Sequence, residues 1–235
     1  RPSGAAPLVK HLAPFFAAAI SKAGLMSGLL LLAAGTAQAQ IAHYPFNGNA
    51  NDTVGSNNGV VNGATLTTDR FGNANSAYSF DGNDSITMAN WGTTLRPTVT
   101  FSVWAQAPSF ENRYPMLFNA GSSGSGPDLF FLKSIPYNSI VWNTWDAGSN
   151  PFFGGFPAGL EDGGWHHYVV VNDQAANNAK LYIDGAFRGT AAYRQAGSVF
   201  TVGNSGAGES GYGWIGKIDD IHIYNSALSQ AQIQA

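Results

Sequence analysis

The chain has 235 residues, of which 29 are glycine, 13% are aromatic and only 11% are charged, which is typical of one well-buried all-β domain. It contains no cysteine, so disulfides and cysteine-ligated metals are excluded. Without the three basic residues of segment 1–39, eight basic residues face fourteen acidic ones, a net charge of −6. Because such a surface repels phosphate backbones, we expect no nucleic-acid partner.

Segment 1–39 differs in composition from the rest of the chain. Lys10 and Lys22 precede a thirteen-residue apolar run, residues 23–35, and the sequence Ala-Gln-Ala ends the segment. A basic region, a short apolar run and an A-x-A site predict a secretory signal peptide over 1–39, cleaved before Gln40. The run is too short to span a membrane comfortably, although an uncleaved anchor is the alternative. We therefore expect a secreted or cell-surface protein with no membrane span after cleavage.

Strand patterns run through the remaining residues. Runs of β-branched and aromatic residues, often alternating with polar ones, predict strands at 41–46, 59–66, 77–80, 84–88, 98–106, 114–119, 128–133, 139–143, 165–171, 180–184, 199–202 and 212–224. Asp184-Gly185 favours the positive φ of a tight hairpin turn. Ser229 and Gln232 have the spacing of a capping box, which predicts a short C-terminal helix.

Two halves of the chain carry a family pattern. The first half contains YPFNGNANDTVGSNNGVVNGATLTTDRFGNANSAYSFDG from Tyr44 and VTFSVWAQ from Val99, and the second contains WHHYVVV, KLYIDG and GKIDDIHIYNSALSQAQI. In this order the segments resemble a laminin-G-like (LamG, concanavalin-A-like) domain of bacterial secreted proteins. The resemblance implies an all-β, two-sheet antiparallel jelly-roll sandwich over 40–235. It says less about activity, because this fold carries lectins, adhesion modules and glycosidases alike.

An oxygen-rich loop covers residues 47–59. Its Asn, Asp and Gly residues supply oxygens of the kind that Ca²⁺ takes, but the spacing is not that of an EF-hand, because Asp52 stands where that motif has Gly. The resemblance implies a structural Ca²⁺ between this loop and a later pair of aspartates. The implied ligands are Asp52, one of Asp219 or Asp220, and backbone carbonyls near Asn47 and Gly48. Asx-turn hydrogen bonding without an ion explains the same loop equally well.

The segment from Trp142 to Phe156 interleaves aromatic residues with Asn and Asp. Sugars stack their C–H faces on aromatic rings and pair their hydroxyls with amides and carboxylates, so this mixture favours a glycan site. The candidate ligand-binding residues are Trp145, Asp146, Asn150 and Asn143, since turn signals in this segment favour exposure. Core packing of the same rings is the alternative. Trp104 lies on the polar face of its strand, either packed in the core or under a loop, or free to stack on a ligand.

Patterns that would indicate catalysis are weak. A glycosidase needs two carboxylates on one face, yet the chain has three Glu and no strand with alternating carboxylates. Glu161 stands in a turn, and His166 and His167 would point to opposite faces of a strand, so they cannot readily share a metal ion. Residues 206–211 match G-x-G-x-x-G but lead into a strand rather than a helix, which favours a hairpin loop. We therefore predict no enzyme activity.

The function predicted from these observations is a secreted, non-catalytic module that binds a glycan or an extracellular protein. A spacer domain without its own ligand is the second hypothesis, and a divergent glycoside hydrolase is the third. Because the sequence starts with Arg1 rather than Met, we expect it to be a fragment or a mis-called open reading frame. The family resembled ends its domain in a short helix of this kind, which implies that other domains of a larger protein follow Ala235.

Overall fold

A computed structural model describes residues 40–92, 94–110, 114–121, 126–134, 137–143, 152–204 and 211–235. These residues fall within one compact unit, Thr36–Ala235. The predicted signal peptide lies outside the described residues, as do Trp145, Asp146 and Asn150. In the ranges given above, no helix has the length and apolar character that a membrane crossing requires.

The described residues form fifteen strands and one short helix. In chain order these are β1 (Gln40–Tyr44), β2 (Val60–Asn62), β3 (Thr65–Thr67), β4 (Ala77–Asp81), β5 (Ser85–Met88), β6 (Thr98–Gln106), β7 (Met116–Asn119), β8 (Asp128–Ser134), β9 (Tyr137–Asn143), β10 (Phe152–Gly155), β11 (Trp165–Asp173), β12 (Asn178–Ile183), β13 (Ala186–Ala192), β14 (Phe200–Val202), β15 (Ile215–Tyr224) and α1 (Gln230–Ile233).

The strands build two antiparallel sheets. The first has the order β13-β12-β11-β6-β15-β4-β3, and β1 pairs with β15 as its eighth strand. The second has the order β10-β9-β8-β7-β14-β5-β2. Strands β6 and β15 lie side by side in the middle of the first sheet, although more than a hundred residues separate them in the chain. The two sheets confirm the predicted two-sheet antiparallel sandwich.

The core lies between the sheets and follows from the period of two in each strand. On β6, the side chains of Val99, Phe101 and Val103 are fully buried. Phe101 stacks on Phe200 of the second sheet, with ring centroids 5.1 Å apart and ring planes 2° apart. Burying one such side chain contributes roughly 1.5–3 kcal/mol. The alternating pattern of the sequence therefore specifies which face of the first sheet is covered.

Most predicted strands are confirmed, and the hairpin turn is confirmed at Asp184 and Gly185, which have φ of 54° and 72°. The prediction of one strand over 59–66 is wrong. Gly63, with φ of 84°, turns the chain between β2 in the second sheet and β3 in the first. Strands β10 and β13 were outside the predicted set, because their glycines weaken the strand pattern.

The C-terminal helix confirms the predicted capping box. The Ser229 side chain accepts the Gln232 backbone N–H, and the Gln232 side chain accepts the Ser229 backbone N–H. Ile233 packs on a small apolar group of the first sheet, formed by Val169, Val171 and Tyr182. These residues alternate with core residues, so the helix covers one end of the outer face of the first sheet.

Candidate functional site

The outer face of the first sheet carries a polar cluster where β15 bulges. Ile218 and Ile221 are both fully buried in the core, yet three positions separate them instead of two. The register between β15 and β6 shifts between Asp219 and His222, and Asp220 has a left-handed φ of 48°. A β-bulge of this kind adds one residue to a strand and redirects its side chains. It brings both aspartates to the outer face.

Arg70, from the loop between β3 and β4, binds both of these aspartates. Its Nη1 donates to Asp219 Oδ2 at 2.9 Å, and its Nη2 donates to Asp220 Oδ2 at 2.6 Å. The guanidinium also lies over the Trp104 ring, 4.7 Å from the centroid. Only 17% of the Arg70 side chain is exposed. Trp104 is therefore packed beneath a loop on the outer face, one of the two placements its pattern favoured.

Two histidines meet the remaining oxygen of Asp220. His43 Nε2 and His222 Nε2 each lie 2.9 Å from Asp220 Oδ1. The two rings stack, with centroids 4.2 Å apart and planes 13° apart. We call this group the histidine–aspartate cluster; its members are His43, Arg70, Asp219, Asp220 and His222.

Burial and hydrogen bonding move the pKa values of the two aspartates in opposite directions. Burial raises the pKa of Asp219 to about 7, although the charge of Arg70 opposes the shift. Burial also acts to raise the pKa of Asp220, but hydrogen bonds and charge from His222, with further hydrogen bonds from His43 and Arg70, hold that pKa well below its usual range. Asp220 is therefore the better anion of the pair.

A shallow groove lies beside the cluster, between β11, β6, β15 and α1. Its volume is about 180 Å³, and its lining includes Ser102, Trp104, His167, His222, Tyr224 and Gln232. His167 Nε2 lies 2.7 Å from Ser102 Oγ, and the His167 ring stacks on Trp104 at 4.9 Å. Burial lowers the pKa of His167 to about 4, so the ring is neutral at pH 7. We call this feature the outer groove.

Asp52, one of the residues expected to bind Ca²⁺, is held by backbone hydrogen bonds. Asp52 Oδ1 accepts backbone N–H groups from His43, Val54 and Gly55, and its Oδ2 accepts that of Asn57, at 2.9–3.3 Å. These four backbone hydrogen bonds fit the Asx-turn alternative, which needs no ion. Calcium binding by the protein stays a prediction.

Three of the other expected calcium ligands share one hollow. Asn47, Asp219 and Asp220 line a second hollow of about 230 Å³, together with Arg70. The Gly48 N–H donates to the carbonyls of Phe46 and Asn75. In this hollow the Arg70 guanidinium already neutralises the aspartate oxygens that face it.

The predicted glycan loop is described only at its two ends. Asn143 is 4% exposed, so its side chain lies in the interior and not on a surface that a ligand could reach. It belongs to a cross-strand row with Asn119 and Asp128, both fully buried. Trp145, Asp146 and Asn150 lie outside the described residues, and their role as ligand contacts stays a prediction.

The two neighbouring histidines face opposite ways, as the strand period requires. His167 lies in the outer groove, whereas His166 Nδ1 lies 2.9 Å from Asp184 Oδ2. Glu161 accepts the Phe110 backbone N–H at 2.9 Å, which ties its carboxylate to the end of the sandwich.

Sequence reasoning missed three residues of the histidine–aspartate cluster: His43, Arg70 and His222. One signal was available, because the spacing Ile-Asp-Asp-Ile in β15 breaks the period of two and indicates a bulge. His43 and His222 are cross-strand partners, and that register depends on contacts between distant parts of the chain.

The fold places the chain in a known family. Residues 80–234 match the model of the concanavalin A-like lectin/glucanases superfamily. Because this match covers more than half of the chain, the protein belongs to that family. No curated protein matches the sequence.

Solved structures share the fold at low sequence identity. Domain 4 of AbnA, a GH43 extracellular arabinanase from Geobacillus stearothermophilus studied with arabinotriose, has a TM-score of 0.61 and 17% identity over 84% of this chain and 97% of that one. Botulinum neurotoxin type C, whose cell entry depends on two ganglioside molecules, has a TM-score of 0.60 and 14% identity over 83% of this chain and 50% of that one. Trypanosoma rangeli sialidase has a TM-score of 0.62 and 13% identity over 83% of this chain and 32% of that one. The chain thus spans one whole neighbouring domain, but only half or a third of the other two proteins.

Proposed function

We propose that this protein is a secreted, non-catalytic module that binds carbohydrate in the outer groove. The observation that carries the proposal is the lining of that groove, where aromatic rings and hydrogen-bonding groups stand side by side on one sheet face. Sugar rings need both, because their C–H faces stack on aromatic rings while their hydroxyls exchange hydrogen bonds. The neighbouring domain studied with arabinotriose and the toxin that interacts with gangliosides support a glycan as the ligand class.

The individual residues suit a shallow sugar site. Tyr224 is half-buried and its ring is nearly parallel to that of His222, at 11°, so it offers an aromatic surface at the groove edge. Ser102, the neutral His167 and Gln232 also line the groove and supply donors and acceptors. Few of these groups are charged, which favours a neutral saccharide over an anionic one.

The carboxylates near the groove support a binding role rather than hydrolysis. Asp219 is 3% exposed and lies beneath Arg70, so a substrate could not reach it. Asp220 binds Arg70 and two histidines. A glycosidase needs an acid and a second carboxylate on either side of the scissile bond, and this pair is held on one side by a shared cation.

A glycan array that includes arabinan oligosaccharides and gangliosides tests the proposal. We expect Tyr224→Ala to weaken binding roughly fivefold or more, because a stacked ring contributes about 1 kcal/mol. The control is Phe187→Ala, which removes an aromatic ring that is 50% exposed on β13 outside the groove. Thermal melting of both variants shows whether the fold is kept.

Three results would overturn parts of this proposal. If Trp145→Ala abolishes glycan binding while Tyr224→Ala leaves it intact, the ligand binds at the 142–156 loop instead of the groove. If no glycan binds the wild-type protein, the spacer hypothesis takes its place. Turnover of a bound oligosaccharide by the wild-type protein would show that the module is catalytic.

A further inference from the structure

We propose that His43, Asp220 and His222 form a binding site for a divalent transition metal ion of the Zn²⁺ class. Each of these residues offers one ligand atom, and the three atoms all lie within 4.8 Å of one another. Two imidazole nitrogens and one carboxylate oxygen are a ligand set that Zn²⁺, Ni²⁺ and Cu²⁺ favour, whereas Ca²⁺ prefers oxygen alone. The site is therefore different from the calcium cage expected from the sequence.

The backbone brings these side chains together without local strain on either histidine. His43 of β1 stands opposite His222 of β15 in the antiparallel register. Directly opposite residues on one sheet face have Cβ atoms about 5 Å apart, which is close enough for a shared ion. The bulge at Asp220 then adds a carboxylate to the same face from the same strand.

The hydrogen bonds around His43 leave room for a cation at its Nε2. Thr53 Oγ1 lies 3.1 Å from His43 Nδ1 and 3.1 Å from the His43 carbonyl oxygen. In one tautomer the His43 Nε2–H donates to Asp220 Oδ1. In the other tautomer the Thr53 hydroxyl donates to the carbonyl and accepts the Nδ1–H of the ring, so Nε2 turns a lone pair towards Asp220 Oδ1. Two lone pairs 2.9 Å apart repel unless a proton or a metal ion joins them. A ring held in this way by its second nitrogen is typical of metal-binding histidines.

The charge of the cluster also suits a divalent ion. Arg70 donates to Asp220 Oδ2 and so leaves Oδ1 for the metal. The Arg70 guanidinium carries one positive charge beside the Asp219 and Asp220 carboxyl groups, so the site has room for the charge of a divalent ion. Ligating carboxylates are commonly held by a second hydrogen bond of this kind.

Binding requires one ring to turn, and His222 is the ring that can do so. The two imidazoles are nearly parallel, at 13°, so their lone pairs converge only after a rotation. Among the described residues, the buried His222 Nδ1 has no hydrogen-bond partner, so turning the ring breaks one hydrogen bond, that between Nε2 and Asp220 Oδ1, which the metal ion replaces. The three side chains are 21–26% exposed, which allows water to complete a four-coordinate site.

Calorimetric titration of the protein with ZnCl₂ at pH 7.5, and separately with CaCl₂, tests the site. We expect one Zn²⁺ per chain, with weaker binding at pH 5 because protons compete for the imidazoles. In ¹⁵N spectra of the wild-type protein, Zn²⁺ should shift the side-chain nitrogens of His43 and His222 but not those of His166. Absence of one-to-one Zn²⁺ binding, or shifts confined to other histidines, would overturn the proposal.

A pair of matched variants locates the ion independently. His222→Gln should weaken Zn²⁺ binding by roughly 10- to 100-fold or more. His166→Gln should leave it unchanged, since His166 stands beside two carboxylates, Asp162 and Asp184, and belongs to none of the metal-ligand groups found among the described residues. Circular dichroism confirms that both variants fold, and equal Zn²⁺ affinity in the two would overturn the site. Glycan binding is measured separately in EDTA, so failure of one proposal does not decide the other.

Discussion

Two rows of polar side chains cross neighbouring strands in this protein, and they differ in burial and in charge. The histidine–aspartate cluster lies on the outer face of the first sheet, and most of its side chains are 17–26% exposed. The other row, which we call the buried polar row, consists of Asn119, Asp128 and Asn143 of the second sheet and is 0–4% exposed.

The comparison shows what burial does to polar groups in a sandwich. Asn119 donates to the fully buried Asp128 carboxylate and accepts the Gly121 N–H. The amide thus pairs with the single carboxylate of this row, since an unpaired buried charge would cost several kcal/mol. The histidine–aspartate cluster, which is only partly buried, holds one guanidinium, two carboxyl groups and two imidazoles. Partial solvation keeps such charges tolerable and leaves them within reach of a ligand. The histidine–aspartate cluster is therefore suited to binding, and the buried polar row to stabilising the fold.

The largest expected effect on stability comes from removing the Arg70 cation of the histidine–aspartate cluster. We expect Arg70→Ala to lower the free energy of unfolding by about 3–5 kcal/mol, since it leaves two adjacent carboxylates without their shared partner. Urea denaturation measures the change. The control Arg188→Ala alters an exposed arginine and should stay within about 0.5 kcal/mol of wild type. A similarly small effect for Arg70→Ala would show that the cluster is a set of independent surface pairs.

The second prediction concerns the pH dependence caused by His167, which is buried beside the histidine–aspartate cluster. The folded pKa of His167 is about 4, below its ordinary value, so the unfolded chain binds more protons between about pH 6.5 and pH 4. Stability should therefore fall by up to about 3 kcal/mol as the pH drops through this window. The raised pKa of Asp219 has the opposite effect on stability. As the pH falls, its carboxyl group binds a proton in the folded state before it does so in the unfolded state.

The difference between wild type and His167→Asn isolates this histidine, because Asp219 titrates in both proteins. We expect the acid-induced loss of unfolding free energy to be smaller in the variant when both are measured by denaturation at pH 7, 5.5 and 4.5. Equal pH dependence in the two proteins would mean that His167 is solvated and that burial does not extend to the outer groove.

The smallest test removes one amide from the buried polar row. Asn119→Ala takes away a hydrogen bond to Asp128 and another to the Gly121 N–H, and we expect a loss of about 1–3 kcal/mol. The same urea titration provides the value. Zn²⁺ and glycan binding should be unchanged, because this row lies in the other sheet. An altered affinity for either ligand would show that the buried polar row also contributes to binding.

Much of the fold could be predicted because strands follow local patterns. Residues 98–106 alternate over the full length of β6, and the capping residues Ser229 and Gln232 are read from their spacing alone. The split of 59–66 into two strands could not be predicted from hydrophobicity, since one left-handed glycine decides which sheet each half joins. For the site, the Asp219-Asp220 pair was identified, but its partner Arg70 stands 149 positions away from Asp219 in the chain.

The amino-acid sequence by itself determined most of the strands and which face of each regular strand is apolar, because these depend on side-chain periods within a few residues. The two-layer architecture was implied by the resemblance to the laminin-G-like family. Only the tertiary structure decided that His43, Arg70 and His222 meet the two aspartates, while Asn143 is enclosed. Strand register and loop placement are set by packing between segments far apart in the chain, and no local pattern encodes those distances.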